Sequence, residues 1–228
     1  MTYQCRQFSN ERASLDDEHY IGMENRRRVF MHPDYPNLCI KVARASHIRR
    51  ELNRRGLIHK LMPTHWRDDN WLESRAYQQP ALSVITEATQ RHIPSLYGWQ
   101  ETSIGMGLVF DYYHLGNGQP APNLRDVILS GGITADIRRA VDGLKDFILH
   151  DGPWMRHPSP ENIVYATDGQ LKLVDCMGTY NMRLQRYIPA IRKRRRKRHN
   201  SYLETAIGNL QTRYERDKQA FQGQGAIS

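Results

Sequence analysis

Asn162 and Asp175 stand thirteen residues apart, one ending a loop and the other ending an apolar run. Between them lie Ile163-Val164-Tyr165, a Thr167-Asp168-Gly169 turn and Leu171-Lys172-Leu173-Val174, the pattern of two short strands joined by a tight turn. Such a hairpin brings its outer ends together, so the amide and the carboxylate converge on one point. Oxygen ligands there suit a hard cation such as Mg2+ riding on the phosphates of a nucleotide. Lys41 is the next candidate. It interrupts the apolar run Leu38-Cys39-Ile40-Lys41-Val42-Ala43, where an ammonium needs a partner unless the strand is an edge and the lysine faces solvent. Last comes a run of seven cations, Arg192, Lys193, Arg194, Arg195, Arg196, Lys197 and Arg198. Such a run attracts phosphates in nucleic acid, anionic lipid or acidic protein, and is as often a solvated helix face.

The elements that must position these residues read as follows. Residues 1–19 carry no pattern and are expected as a poorly ordered lead-in. Ile21 to Asn25 reads as a turn, Arg26 to Met31 as a strand, His32 to Asn37 as a second turn and Leu38 to Ala43 as a strand. Residues 46–92 read as helical with a break at Pro63. His92 to Trp99 leads into a strand, Gly105 to Tyr113 is another, and the polar stretch after it, 114–122, is the expected hinge. Asn123 caps a helix from Leu124 that Ser130-Gly131-Gly132 closes. Thr134 caps a second, in which Ile137, Val141, Leu144, Phe147 and Ile148 recur at helical spacing. Beyond Gly178, Pro189 opens a basic helix over 189–199. Tyr202, Leu203, Ala206, Ile207, Leu210 and Tyr214 form a final amphipathic helix, and 222–228 is a frayed tail.

Composition bounds the rest. At 228 residues with 39% apolar and 25% charged residues, the chain can build one domain or two small lobes. The net charge of +9 is concentrated in the basic run. No window approaches twenty apolar residues and Met1-Thr2-Tyr3-Gln4-Cys5 begins no signal peptide, so a soluble cytoplasmic protein is expected. Cys5, Cys39 and Cys176 form no C-x-x-C pair, which argues against a disulfide framework or a structural zinc site.

The order of parts resembles the protein kinase fold in shortened form. More narrowly it resembles the YrbL family, the PhoP regulatory network proteins of bacteria. The carrying residues are the Arg-rich strand with His32-Pro33 before Leu38-Cys39-Ile40-Lys41-Val42, and then Ile93 to Trp99. Gly105 to Asp111, Pro160 to Ile163, Asp175-x-x-Gly178 and the Arg-rich helix follow in register. The resemblance implies an α+β fold with a small β-rich N-lobe at 20–113 and a reduced helical C-lobe at 123–221. Asn162 and Asp175 fall on the metal-ligand positions of H-R-D-x-x-x-x-N and D-F-G, and His157 stands where that pattern has its catalytic Asp. Lys41 falls on the phosphate-anchoring lysine, with Glu73 as its expected carboxylate partner and Glu51 as the runner-up. Gly22 is all that stands for the glycine-rich loop, with Arg26, Arg27 and Arg28 supplying charge nearby. Backbone groups near Asp111 and Tyr112 would meet an adenine. The fifty residues after Gly178 cannot hold an activation segment and a large helical lobe, so peptide docking of the usual kinase type is not expected.

Three functions compete. The first is Mg2+-ATP binding in an inter-lobe cleft with phosphotransfer to a small-molecule or envelope-related acceptor, His157 and Asp175 being the catalytic candidates. The second is a pseudokinase that regulates or recruits a protein partner without catalysis. The third is a binder of anionic polymer or lipid through the Arg-rich helix.

Overall fold

The structure, a computed structural model, describes residues 12–24, 26–44, 68–83, 86–116, 118–177 and 188–224. Its first strands are β1 (Tyr20–Met23), β2 (Arg27–Met31) and β3 (Leu38–Ala43), followed by helices α1 (Asp69–Ala76), α2 (Pro80–Ser83) and α3 (Glu87–His92). Then come β4 (Leu96–Thr102), β5 (Gly105–Asp111), α4 (Leu124–Gly131) and α5 (Ala135–His150). Strands β6 (Ile163–Tyr165) and β7 (Leu171–Leu173) and the long helix α6 (Pro189–Gln224) complete the chain. The architecture is α+β, an antiparallel sheet region followed by a helical part, compatible with a shortened two-lobed kinase-like fold. The described residues fall in two compact units. One is drawn from Met1–Ile85, Pro94–Pro120 and Met177–Asn181, the other from Thr86–Ile93, Ala121–Cys176 and Met182–Ser228.

The first unit is a five-stranded sheet of order β1-β2-β3-β5-β4, antiparallel throughout. β3 occupies the centre because its sequence tolerates burial on both faces. Leu38, Ile40 and Val42 join Phe30, Val109, Ala13 and Leu15 in the apolar core on one face. Strand alternation sends Cys39 and Lys41 to the other face, and α1 packs against β3 and β5. Gly107, opposite Val42, leaves no room for a side chain: a Cβ would stand 2.3 Å from Ile40 Cγ2.

Two stretches of this unit differ from the sequence reading. Ile21-Gly22-Met23, read as a turn, belongs to β1, and the turn is shortened to Glu24–Arg27, where the Glu24 N–H donates to the Arg27 carbonyl at 3.0 Å. The periodicity of β1 was too short to register. Within residues 12–19, read as a lead-in, Ala13 bridges Thr102 and donates its N–H to the Glu101 carbonyl at 2.9 Å, and Asp17–His19 form a short 3-10 helix. The expectations for 1–11 and for a helix over 46–67, with Glu51 and Pro63, lie outside the described residues.

In the second unit the two expected helix caps are present. Asn123 accepts the Asp126 N–H at 2.9 Å, and Thr134 accepts the Ile137 N–H at 3.3 Å. Helix α5 buries Ile137, Ala140, Val141, Leu144, Phe147 and Ile148. Helix α6 packs on α4 and α5 and is one continuous 36-residue helix where the sequence suggested two. No proline follows Pro189 within it, and Arg, Lys, Gln and Glu are good helix formers, so nothing ends it. Its docked stripe includes Leu203 and Ile207, then Gln211, which accepts the Ile133 N–H at 2.9 Å. Tyr214 closes over Gly132, whose φ of +72° and proximity to that ring both require glycine. Helix α3 also belongs here rather than to the first unit, as the 20–113 lobe boundary assumed. His92 Nδ1 lies 2.9 Å from the Leu171 carbonyl, and its ring is 5.0 Å from that of Phe147. One of the divisions between the units falls after Pro120, inside the stretch 114–122. Among the described residues no helix is long and apolar enough to cross a membrane.

Candidate functional site

Lys41 is flanked by Val29 of β2 and Leu108 of β5, so it is a central-strand residue and its side chain is buried. Its ammonium lies 2.8 Å from Glu24 Oε1 and 5.3 Å from the centroid of the Phe110 ring. The other oxygen of Glu24 accepts from both Nε and Nη2 of Arg27, each at 2.7 Å. Arg27 Nη1 in turn reaches Glu73 Oε2 and, at 3.3 Å, Asn70 Oδ1. Asn70 closes the circuit by donating Nδ2 to the Lys41 carbonyl at 2.7 Å. Among the described residues, two cations and two carboxylates thus pair in one cluster, the condition under which charges persist inside a protein. Burial pushes the Glu24 carboxyl up, but Lys41 and then Arg27 more than offset this and hold it below its ordinary value.

Helix α1 sets half of this cluster. Asp68 caps it by accepting the Asn70 N–H at 2.9 Å. Asn70 and Glu73, three apart, are the two buried residues of the helix and share one face. Among the described residues the carboxylate on Lys41 is Glu24, and Glu73, expected from the resemblance to hold the lysine, pairs with Arg27. The reason is register: Arg27 lies on β2 two residues from Val29, which faces Lys41, so its guanidinium occupies the same face of the sheet.

The strand-end candidates are engaged within the first unit. Asp111 accepts from the Ser95 N–H at 2.7 Å and from the Tyr97 hydroxyl at 2.8 Å. Its own N–H donates to Ser95, and the Tyr112 N–H donates to Asn37 at 2.8 Å. These groups join β5 to its neighbours. Gly22 lies at an irregularity of the β1–β2 pairing, and a Cβ there would meet nothing within 4 Å.

In the second unit the register Ile163↔Leu173, Val164↔Lys172 and Tyr165↔Leu171 forms the expected hairpin. One rung further out, the Val174 N–H donates to the Asn162 carbonyl at 2.9 Å, and the Arg156 N–H donates to the Cys176 carbonyl at 2.8 Å. Asp175 is held between these two ties, beside Asn162, and both residues are half-buried. Asp175 has a φ of +51°, the only positive φ of a non-glycine residue among those described. A left-handed backbone costs an L-residue roughly 1–2 kcal/mol, and strain of this kind concentrates at functional sites. An amide oxygen and a carboxylate fit a hard cation. Among the described residues no group of three His, Cys, Asp or Glu could hold a metal unaided, so a cation here would draw most ligands from phosphate and water.

His157 is exposed, with its ring 5.1 Å from His199 and 5.1 Å from Tyr202. Burial, then Arg198 and Arg195, lower its pKa, so the imidazole is neutral at pH 7. The basic run divides by helix face. Arg195 packs its guanidinium 4.6 Å from the Trp154 ring centroid and donates to the Met155 carbonyl at 2.9 Å. Arg196 donates to the carbonyls of Leu149, His150 and Gly152, the C-terminal end of α5. Arg192, Lys193, Arg194, Lys197 and Arg198 are exposed.

Residues 13–207 match the family described as PhoP regulatory network protein YrbL. The chain belongs to the YrbL family. No curated protein matches it. Among solved structures, this YrbL-family chain is similar to the complex of Rv3197 with erythromycin from Mycobacterium tuberculosis, at 14% identity and a TM-score of 0.43. The match covers 75% of this chain and 48% of the other, so the family member spans about half the length of that structure.

Sequence reasoning singled out Lys41 in this YrbL-family chain but did not place Glu24 or Asn70 beside it. Glu24 carries no periodic signal. Arg27 is read from the sequence only as charge near Gly22, although strand alternation on β2 could have placed it inward.

Proposed function

We propose that this chain binds a Mg2+-nucleotide such as ATP. Asn162 and Asp175 of the second unit are its proposed cation ligands, and Lys41 of the first unit is a proposed anchor for phosphate oxygens. The observation that supports it best is Asp175, kept in a left-handed conformation beside Asn162 at the end of a hairpin. Family membership and the buried Lys41 agree with it. The cation would neutralise phosphate charge; Lys41 and the residues that hold it would orient the phosphates. A thermal-shift titration with ATP, with and without Mg2+, tests the reading on wild type, Asp175→Ala and Lys41→Ala. A Mg2+-dependent rise in melting temperature, lost in the first variant and weakened in the second, is expected. Identical shifts in all three proteins would remove the assignment.

Catalysis is the finer step. In its catalytic form the chain transfers phosphate to a small-molecule or envelope-related acceptor. In its regulatory form, a pseudokinase, nucleotide binding alone is the signal. The packing of His157 against His199 and Tyr202 favours the regulatory form, because it gives the histidine a structural use. Nucleotide turnover that falls about 10²–10⁴-fold in His157→Ala with binding intact would restore the catalytic form. The five exposed cations of the basic run favour contact with an anionic polymer or lipid. Binding to anionic vesicles or nucleic acid that weakens steeply with salt would support it.

A further inference from the structure

We propose that Glu24 selects the ligand of the Lys41 site: its Oε1 occupies the seat of a phosphate oxygen, and a ligand must carry linked phosphates to displace it. This rests on the reading of Lys41 as a phosphate anchor. The 2.8 Å between Glu24 Oε1 and Lys41 Nζ is the separation an ammonium also makes with a phosphate oxygen. The carboxylate side chain is 26% exposed and the lysine side chain 9%, so Glu24 is the member nearer solvent. An arriving anion must compete with a carboxylate already seated on the Lys41 ammonium.

The two oxygens of Glu24 have separate tasks. Oε1 serves Lys41, while Oε2 serves Arg27 through two donors. Arg27 is itself fixed by Glu73 and Asn70. Displacement therefore breaks only the Oε1 contact and leaves the carboxylate tethered to Arg27. A single phosphate oxygen only replaces the lost ion pair, whereas linked phosphates bring a second charge to the same ammonium. The ligand class is a di- or triphosphate, and inorganic pyrophosphate is its simplest probe.

The test is calorimetric titration of wild type, Glu24→Gln and Lys41→Met with phosphate, pyrophosphate and ATP, with folding followed by circular dichroism. Removing one like charge at this range should tighten pyrophosphate and ATP binding by about tenfold and let inorganic phosphate bind Glu24→Gln. Lys41→Met combined with Glu24→Gln should abolish the gain. Glu24→Asp, one methylene shorter, retains the Arg27 tether while retreating from Lys41; it should shift affinity the same way if the glutamine variant does not fold. ATP binding that is equal or weaker in the Glu24 variants overturns the role of Glu24 and leaves the nucleotide reading standing. Tighter pyrophosphate binding without any ATP binding does the reverse. Absence of every anion from every variant overturns both.

Discussion

The Asn162 carbonyl accepts the Val174 N–H at 2.9 Å, one rung beyond the paired strands of the β6–β7 hairpin. That rung brings Asp175 beside Asn162, and it does so at the cost of a left-handed backbone at Asp175. The two properties can be separated by substitution.

Asp175→Gly should retain or raise the melting temperature, because glycine adopts a φ of +51° freely. It should at the same time lose the Mg2+-dependent part of any ATP-induced shift. Asp175→Val should lose both, with stability lower by about 1–2 kcal/mol. Thermal melts of the three proteins with and without Mg2+-ATP read both effects.

Arg27 is the link between two carboxylates, and its removal takes away the cation shown on the buried Glu73. Arg27→Met should cost about 3–5 kcal/mol in urea unfolding. Adding Glu73→Gln to it should return part of that loss by deleting one unpaired charge. A double variant less stable than the single one would refute the buried circuit.

Within the basic run, charge and stability should part company. Arg196→Ala removes the donors of the α5 terminus and should destabilise by about 1–3 kcal/mol. Arg194→Ala, at an exposed position, should change stability by less than about 0.5 kcal/mol. Arg196→Lys should recover little, since one ammonium cannot reproduce a planar fork.

Acid should weaken the second unit through His199. Burial, then Arg195, His157 and Arg198, push its pKa from 6.5 down to about 3. The unfolded chain takes up this proton first as pH falls, so the stabilising effect is complete above 6.5 and is lost between that value and about 3. Going from pH 7 to pH 5 should cost about 2 kcal/mol. Urea melts at the two pH values should show this, and His199→Leu should flatten the difference.

The hairpin and the capped helices were legible because they rest on local chemistry. Gly169 adopts a φ of +75° in the Thr167-Asp168-Gly169 turn, and Asn123 and Thr134 cap as their positions suggest. Pairings set by strand register were not legible. Which glutamate meets Lys41 depends on the alignment of β1, β2 and β3, and Glu24 lies in the turn between two of them. The helical glutamate Glu73 was found and its cation was not, since that pairing depends on the strand register that puts Arg27 on the same face as Lys41. The continuity of α6 was hidden by its change from basic to amphipathic composition, which alters what the helix touches without altering its propensity.

The cap that Arg196 places on α5 joins residues 46 positions apart. At 5–20 residues per second, protein synthesis would leave the end of α5 without its guanidinium for about 2–9 s. The nascent second unit would thus have its hydrophobic helix in hand before its last wall has been made, and a ribosome that stalls within α6 would hold that surface open to chaperones.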